Sequence, residues 1–385
     1  MRVLLSFHSM VTRSNHRLAA ELAALPDLDL TVVAPTWWHE ESRDVQQEVS
    51  VGRGYRLIVL PIVHGKRPHP NLFAYRQGLG RALRETRPDI IDLYEEPFSL
   101  AAAQMLMLRA LWAPRVPLVF YSAQNIYKRY PPPFAQIEQW AFRSASHAHV
   151  CNSEAGEVLR RKGYRGDLRI LPLGVDHERF VPTNERPAAK ARLGFDGPVV
   201  GYIGRLHVEK GVEDLLEAFA DVRMPGCKLL LVGNGPHRVL LQERAHAHGI
   251  ADDVVFLGAI DRPSLPPVLH AMDCLVVPSR TTPTWKEQFG RVIVEAFLSG
   301  VPVVGSSSGS IPELIGNDGV VFPEGDSRAL ADALRQLLHD PTRAAAYAER
   351  ARTRALRTYT WQAVAAQRYR LYSDMLTYTR QAVAA

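Results

Sequence analysis

Short apolar runs alternate with amphipathic stretches along the whole chain. Residues 3–7, 28–34, 55–61, 89–94, 116–121 and 147–151 are brief and strongly apolar. That is how a strand buried on both faces reads. Between them, residues 16–25 carry leucines at 18, 22 and 25, and residues 72–85 and the stretch after Pro97 are also helical in pattern. Strands separated by such helices predict βαβ units and a parallel sheet. Residues 180–198 interrupt this with Pro, Gly and charge and no long apolar period. A second series follows, with strands at 199–203, 227–232, 254–257, 274–277 and 302–304 and helices at 211–222, 236–247, 289–298 and 328–338. Helical sequence closes the chain from 361 to 382. The pattern therefore predicts two Rossmann-like, doubly wound α/β domains: 1–180, a linker at 181–198, then 199–358, with a last helix in 359–385. Two such domains in tandem place a ligand at the carboxyl ends of their strands, in a cleft between them.

Composition narrows the class. With 385 residues, 46% hydrophobic and 22% charged, the chain can bury large cores, and disorder or a disulfide-stapled miniprotein is excluded. No run of about 20 apolar residues is present; the most apolar stretch, 100–111, carries Gln104 and Arg109. The opening MRVLLSF has no basic leader pattern, which sets a cytoplasmic location as the expectation. Cys151, Cys227 and Cys274 lie far apart in sequence, against a disulfide framework or zinc ribbon. The net charge of +6 contains no Lys/Arg block, so nucleic acid is not an expected partner. An anionic membrane face or a phosphorylated ligand stays open.

Three segments carry candidate chemistry. In VVGYIGRLHVEKGV a buried strand runs into Gly204, Arg205, a loop, Lys210 and a new helix. Glycine permits close backbone approach, and a helix start offers unpaired N–H groups and a positive dipole end. Arg205 and Lys210 either clamp a diphosphate or are solvated loop charges. In PSRTTPTWKEQFGRVIVEAFLSG, Glu287 precedes the helix start and Glu295 lies eight positions later. About 7.5 Å of rise separates Gly290 from Glu295, so the two carboxylates suit different parts of one ligand. The N–H groups of Phe289, Gly290 and Arg291 suit a phosphate. Glu295 sits in a run of apolar residues and needs a partner. In KLLLVGNGP, Gly233 and Gly235 form a turn that either lines a ligand cleft or is ordinary turn chemistry; Arg238 stands where a dinucleotide fingerprint needs a third glycine.

Taken in order, GRLHVEKG, VGNGP, VVFLGAI, EQFGRVIVEA and SGVPVVGSSSGSIPEL resemble the retaining family-4 glycosyltransferases of GT-B architecture, with Glu287 and Glu295 matching that family's E-x7-E element. The resemblance implies a sugar moved from a nucleotide-diphosphate-sugar donor to a glycan, glycolipid or small-molecule hydroxyl. Arg205 and Lys210 would then hold the diphosphate, Glu295 the ribose, and Glu287 the donor sugar. Phe289 and Gly290 would supply N–H groups to the phosphates, and residues 257–260, from Leu257 to Ile260, would border the base. The two cations and the helix start would replace a metal, so no cofactor is expected. A nucleotide-sugar epimerase and a nucleotide-binding pseudoenzyme are the alternatives.

The first half departs from the family. The loop after the first strand reads HSMVTRSN without glycine, so Arg13 or Ser14 would have to serve the ligand there. The loop after residues 117–122 carries Gln124 and Asn125 in place of a histidine; these either face an acceptor or are satisfied loop amides. His147 and His149 share one strand face, as a core pair or as two metal ligands. Glu95 and Glu96 either meet an acceptor sugar or are solvated loop carboxylates, and the aromatic side chains of Trp37, Trp38 and 127–134 are candidates for sugar stacking or contact with a lipid carrier.

Overall fold

The computed structural model describes residues 1–40, 43–46, 54–63, 71–222 and 224–384. It divides into two compact units: Met1–Gly174 with Trp361–Ala385, and Val175–Thr360.

The sheet of the first unit contains β1 (Arg2–Ser6), β2 (Asp29–Pro35), β3 (Arg56–Leu60), β4 (Ile90–Leu93), β5 (Leu118–Ser122), β6 (His147–Val150) and β7 (Asp167–Ile170). Their order is β7-β6-β5-β4-β1-β2-β3, and every pairing is parallel. The central strands β1, β2, β4 and β5 feed two cores. Leu4, Val33, Ile91, Leu93 and Phe120 join one cluster, while Val3, Leu5, Val32, Ile90 and Val119 join the other. This is why the runs read as continuously apolar rather than alternating. The terminal helix Trp361–Ala384 supplies Trp361, Val364, Leu371 and Tyr372 to the second of these cores.

The second unit repeats the plan. β8 (Val199–Ile203), β9 (Lys228–Val232), β10 (Val254–Gly258), β11 (Cys274–Val277), β12 (Val303–Ser306) and β13 (Val320–Phe322) form a parallel sheet in the order β10-β9-β8-β11-β12-β13. In each sheet the strand order reverses beside its first strand, between β1 and β4 and between β8 and β11. Ligands of doubly wound sheets bind at such switch points, outside the carboxyl ends.

Two expectations need correction, and one strand has no apolar run to announce it. The segment expected as a linker, 181–198, belongs to the second unit and contains a helix, Arg186–Arg192. Lys190 Nζ bonds Asp273 at 2.6 Å and the Gly197 carbonyl at 3.1 Å, so its charges are used for docking. The helix expected at 289–298 begins at Arg291, because Gly290 takes a left-handed φ of 67°. β7 was absent from the sequence reading. It is an edge strand whose DLRI side chains are mostly exposed, so it lacks an apolar run.

Candidate functional site

The loops that leave β8 and β11 are locked together by glycines. Gly211 has φ 63°, and a Cβ there would lie 1.9 Å from the Pro278 carbonyl oxygen. A Cβ on Gly233 would lie 1.8 Å from the Gly204 carbonyl, and one on Gly235 2.1 Å from that of Leu206. These turns therefore meet backbone to backbone, and the Gly204 and Leu206 N–H groups donate to Val232 and Asn234. Gly233 N–H in turn donates to the Gly258 carbonyl at 2.7 Å, which joins the end of β10 to the same cluster.

On this frame Lys210 Nζ donates to Glu287 Oε2 at 2.7 Å. Both side chains are largely covered, at 16% and 13% exposure. Ser279 Oγ donates to the same carboxylate oxygen at 3.2 Å, and the Lys210 ammonium stands 4.4 Å from the Trp285 ring. The backbone of Glu287 is fixed separately. Ser310 N–H donates to its carbonyl at 3.0 Å, and a Cβ on Gly309 would lie 2.1 Å from that oxygen. The SSSGS segment is thus the clamp that seats Glu287.

Arg205 is exposed, and its guanidinium makes no ion pair among the described residues. Its carbonyl accepts from the Tyr202 hydroxyl at 2.7 Å. Burial, with Glu287 adding to it, pushes that phenol well above its ordinary value, so it remains a donor. Glu295 is 2% exposed, on the Arg291–Leu298 helix, and its partner is Arg262 Nη1 at 3.2 Å. Phe289 is buried, 6.1 Å from the Tyr359 ring, and Arg291 is half-buried. The first turn of that helix holds no acidic side chain. Leu257 is exposed and Ile260 half-buried beyond β10. The structure thus joins Lys210 with Glu287 and gathers the glycine turns around them, while Glu295 pairs elsewhere. Ser279, Trp285 and Arg262 were missed, because single Ser, Trp and Arg residues in loops carry no spacing signal.

Comparison with known proteins bears on the family and the fold. The family model described as Glycosyl transferases group 1 matches residues 185–354, and the one described as Glycosyltransferase Family 4 matches residues 11–179. An alpha-D-kanosaminyltransferase of Streptomyces kanamyceticus is 30% identical over 286 residues, 70% of this chain and 73% of that protein. The chain belongs to the family-4 glycosyltransferases. A GDP-mannose-dependent alpha-(1-6)-phosphatidylinositol monomannoside mannosyltransferase of Mycolicibacterium smegmatis is 39% identical over 51% of this chain and 53% of its own length. The chain spans just over half the length of the first curated relatives it matches, 53–56%. Among solved structures, Anabaena HepE in complex with UDP shares the fold with a TM-score of 0.74 at 20% identity, over 97% of this chain and 99% of that one.

The first unit of this family-4 chain carries its own polar groups. Glu95 is 2% exposed and accepts from His8 N–H at 2.7 Å, with His8 Nδ1 2.5 Å away. Glu96 accepts from Ser122 Oγ at 2.7 Å and from Ala123 N–H at 2.8 Å. Burial pushes its carboxyl up to about 7 despite these donors. Asn125 is buried and donates to Glu154 Oε2 at 3.1 Å, the satisfied-amide alternative. Gln124 is half-buried, its N–H 3.3 Å from Ser122 Oγ. Ser14 is exposed in a short turn, and the Arg13 side chain lies outside the described residues. His147 and His149 are buried core residues, with His149 beside Asp92 at 3.7 Å and His147 beside Asp167 at 3.8 Å. No cluster of three metal-ligating side chains occurs among the described residues.

Proposed function

We infer that this chain is a retaining, metal-independent glycosyltransferase that moves a hexose from a nucleoside-diphosphate sugar to a hydroxyl of a glycan, glycolipid or small molecule. The observation that carries this reading is the Lys210–Glu287 pair at the switch point of the second sheet. A cation and a carboxylate held 2.7 Å apart suit a departing diphosphate and a sugar that gains positive charge as the bond breaks. Arg205, exposed in the adjoining loop, supplies a second cation. The start of the Arg291–Leu298 helix, free of acidic residues, supplies backbone N–H groups. Fixed donors of this kind, aimed at developing charge, are the main source of rate in such a site. Two cations and a helix start can neutralise a diphosphate without a divalent ion. The incoming hydroxyl can pass its proton to the leaving phosphate on the same face, so no separate base is needed.

The relatives make GDP-mannose the first donor to try. The reading is tested by donor hydrolysis with EDTA present and by thermal shifts with UDP, GDP and ADP. Release of nucleoside diphosphate that disappears in Glu287→Ala supports it. Nucleotide binding without turnover of any donor would instead mark a binding protein. Inactivation by EDTA, restored by magnesium or manganese, would remove the metal-independent part.

Peripheral attachment to an anionic membrane face, on the cytoplasmic side, is part of the same reading. Met107, Leu111 and Trp112 are 50%, 64% and 42% exposed near one helix end, and the Arg84 guanidinium stacks 4.4 Å from Trp112. Apolar, aromatic and cationic groups together suit such a surface. Co-sedimentation with phosphatidylglycerol vesicles but not phosphatidylcholine vesicles is expected, and loss of this preference in Leu111→Ser/Arg84→Ser is the confirming result.

A further inference from the structure

The loops after β1 and β4 meet at the switch point of the first sheet, and the groups they bring together are His8 and Glu95. Glu95 is held on both oxygens, by the His8 backbone N–H at 2.7 Å and by the ring Nδ1 at 2.5 Å. With Nδ1 donating to Glu95, Nε2 of the neutral ring keeps its lone pair. The imidazole is packed by aromatic rings, with Trp38 at 4.5 Å, Phe73 at 5.8 Å and Phe7 at 5.9 Å. Trp38 and Phe73 are buried, yet the His8 side chain stays 17% exposed. Nε2 makes no hydrogen bond among the described residues. The ring is therefore locked in one orientation and one tautomer, with a single acceptor nitrogen unused.

That chemistry selects its ligand. In the neutral ring Nε2 can only accept, which suits an O–H group and offers nothing to a phosphate. We propose that His8, positioned by Glu95, accepts a hydrogen bond from a hydroxyl of the acceptor sugar and so sets which hydroxyl is presented for transfer. This rests on the glycosyltransfer reading above. His8 holds the acceptor through a hydroxyl other than the attacking one, and no bond is made or broken at the dyad.

Nitrogen NMR of the full chain labelled with 15N-histidine tests this directly, with the His8 signals assigned by their loss in His8→Gln. The Nδ1-protonated tautomer is expected in the wild type and a mixed population in Glu95→Gln. Methyl α-D-mannopyranoside, methyl α-D-glucopyranoside or myo-inositol should move the Nε2 signal, whereas inorganic phosphate should leave it in place. If none of the three polyols moves it, or if phosphate does, the assignment is wrong. In transfer assays His8→Gln should raise the acceptor KM roughly tenfold, the effect of one lost hydrogen bond, with donor KM unchanged. An unaltered acceptor KM also overturns the proposal, since a purely structural pair would not separate the two constants. Nucleotide thermal shifts report on the donor side alone, so their loss would indict the glycosyltransfer reading and not the dyad.

Discussion

Glu287 and Glu295 occupy opposite electrostatic situations eight positions apart. Glu287 is largely covered and shares its charge with Lys210 and Ser279, whereas Glu295 is fully enclosed and answered by Arg262, whose own side chain is 47% exposed. Glu287→Gln should therefore cut donor hydrolysis about 100-fold, near 3 kcal/mol of transition-state stabilisation, while thermal shifts by nucleoside diphosphate persist. Retained turnover would detach Glu287 from the chemistry. Arg262→Ala leaves a buried carboxylate without its cation. A cost of about 1–2 kcal/mol is expected, reduced from that of a fully buried pair by the exposure of Arg262, and denaturant melts at neutral pH would read it. Arg205→Ala removes an exposed cation, and a loss of about 1–3 kcal/mol in kcat/KM for donor is expected. The need of Glu295 for a partner was legible from its apolar neighbours. The identity of that partner was not, because Arg262 lies 33 positions upstream in a loop with no periodic pattern. Likewise His8 and Glu95 are 87 residues apart, joined only because their strands are neighbours.

The elements were readable in proportion to how deeply they are buried. β1, β2 and β4 show themselves through apolar runs, whereas β7 and the Arg186–Arg192 helix contribute few buried side chains and so left no trace. Glycines mark the connections, but not why they are needed. Gly309 is the clearest case: its φ of 55° and the Glu287 carbonyl beside it forbid a side chain. Gly309→Ala should displace Glu287, with donor turnover falling at least tenfold and stability falling by about 1–3 kcal/mol, the scale for a side chain forced into left-handed backbone. If Gly309→Ala melts like wild type and turns over normally, the clamp is not what seats the carboxylate.

At the scale of the whole chain, the first unit draws on both ends of the sequence. Arg368 and Tyr372, from the terminal helix, converge with His149 on Asp92 inside it; Tyr372 Oη donates to Asp92 at 2.6 Å and Arg368 pairs with the same carboxylate. Burial tends to raise the Asp92 carboxyl, but Arg368, with His149 and Tyr372, outweighs this and holds it at about 2. Burial, then the Arg368 charge, lowers His149 to about 4. Both folded values lie below the unfolded ones, so the unfolded chain binds more protons and stability falls with acidification. The loss through His149 runs from about pH 6.5 down to about 4, and that through Asp92 only below about 3.9. His149→Gln should flatten the melting temperature of the first unit across the upper window, removing about 3 kcal/mol of pH dependence. An unchanged slope would assign the acid sensitivity elsewhere.

The split ancestry of the first unit also orders events at the ribosome. Everything from Val175 to Thr360 is made before Trp361 emerges, so the later lobe can close on itself while the earlier one still waits for its last helix. Until that helix arrives, Asp92 has no guanidinium and the face made by Val3, Leu5 and Val32 lacks part of its cover. A nascent chain stalled short of residue 361 should thus display one finished half and one open to proteases, so that emergence of the Trp361–Ala384 helix becomes the step that closes the first unit.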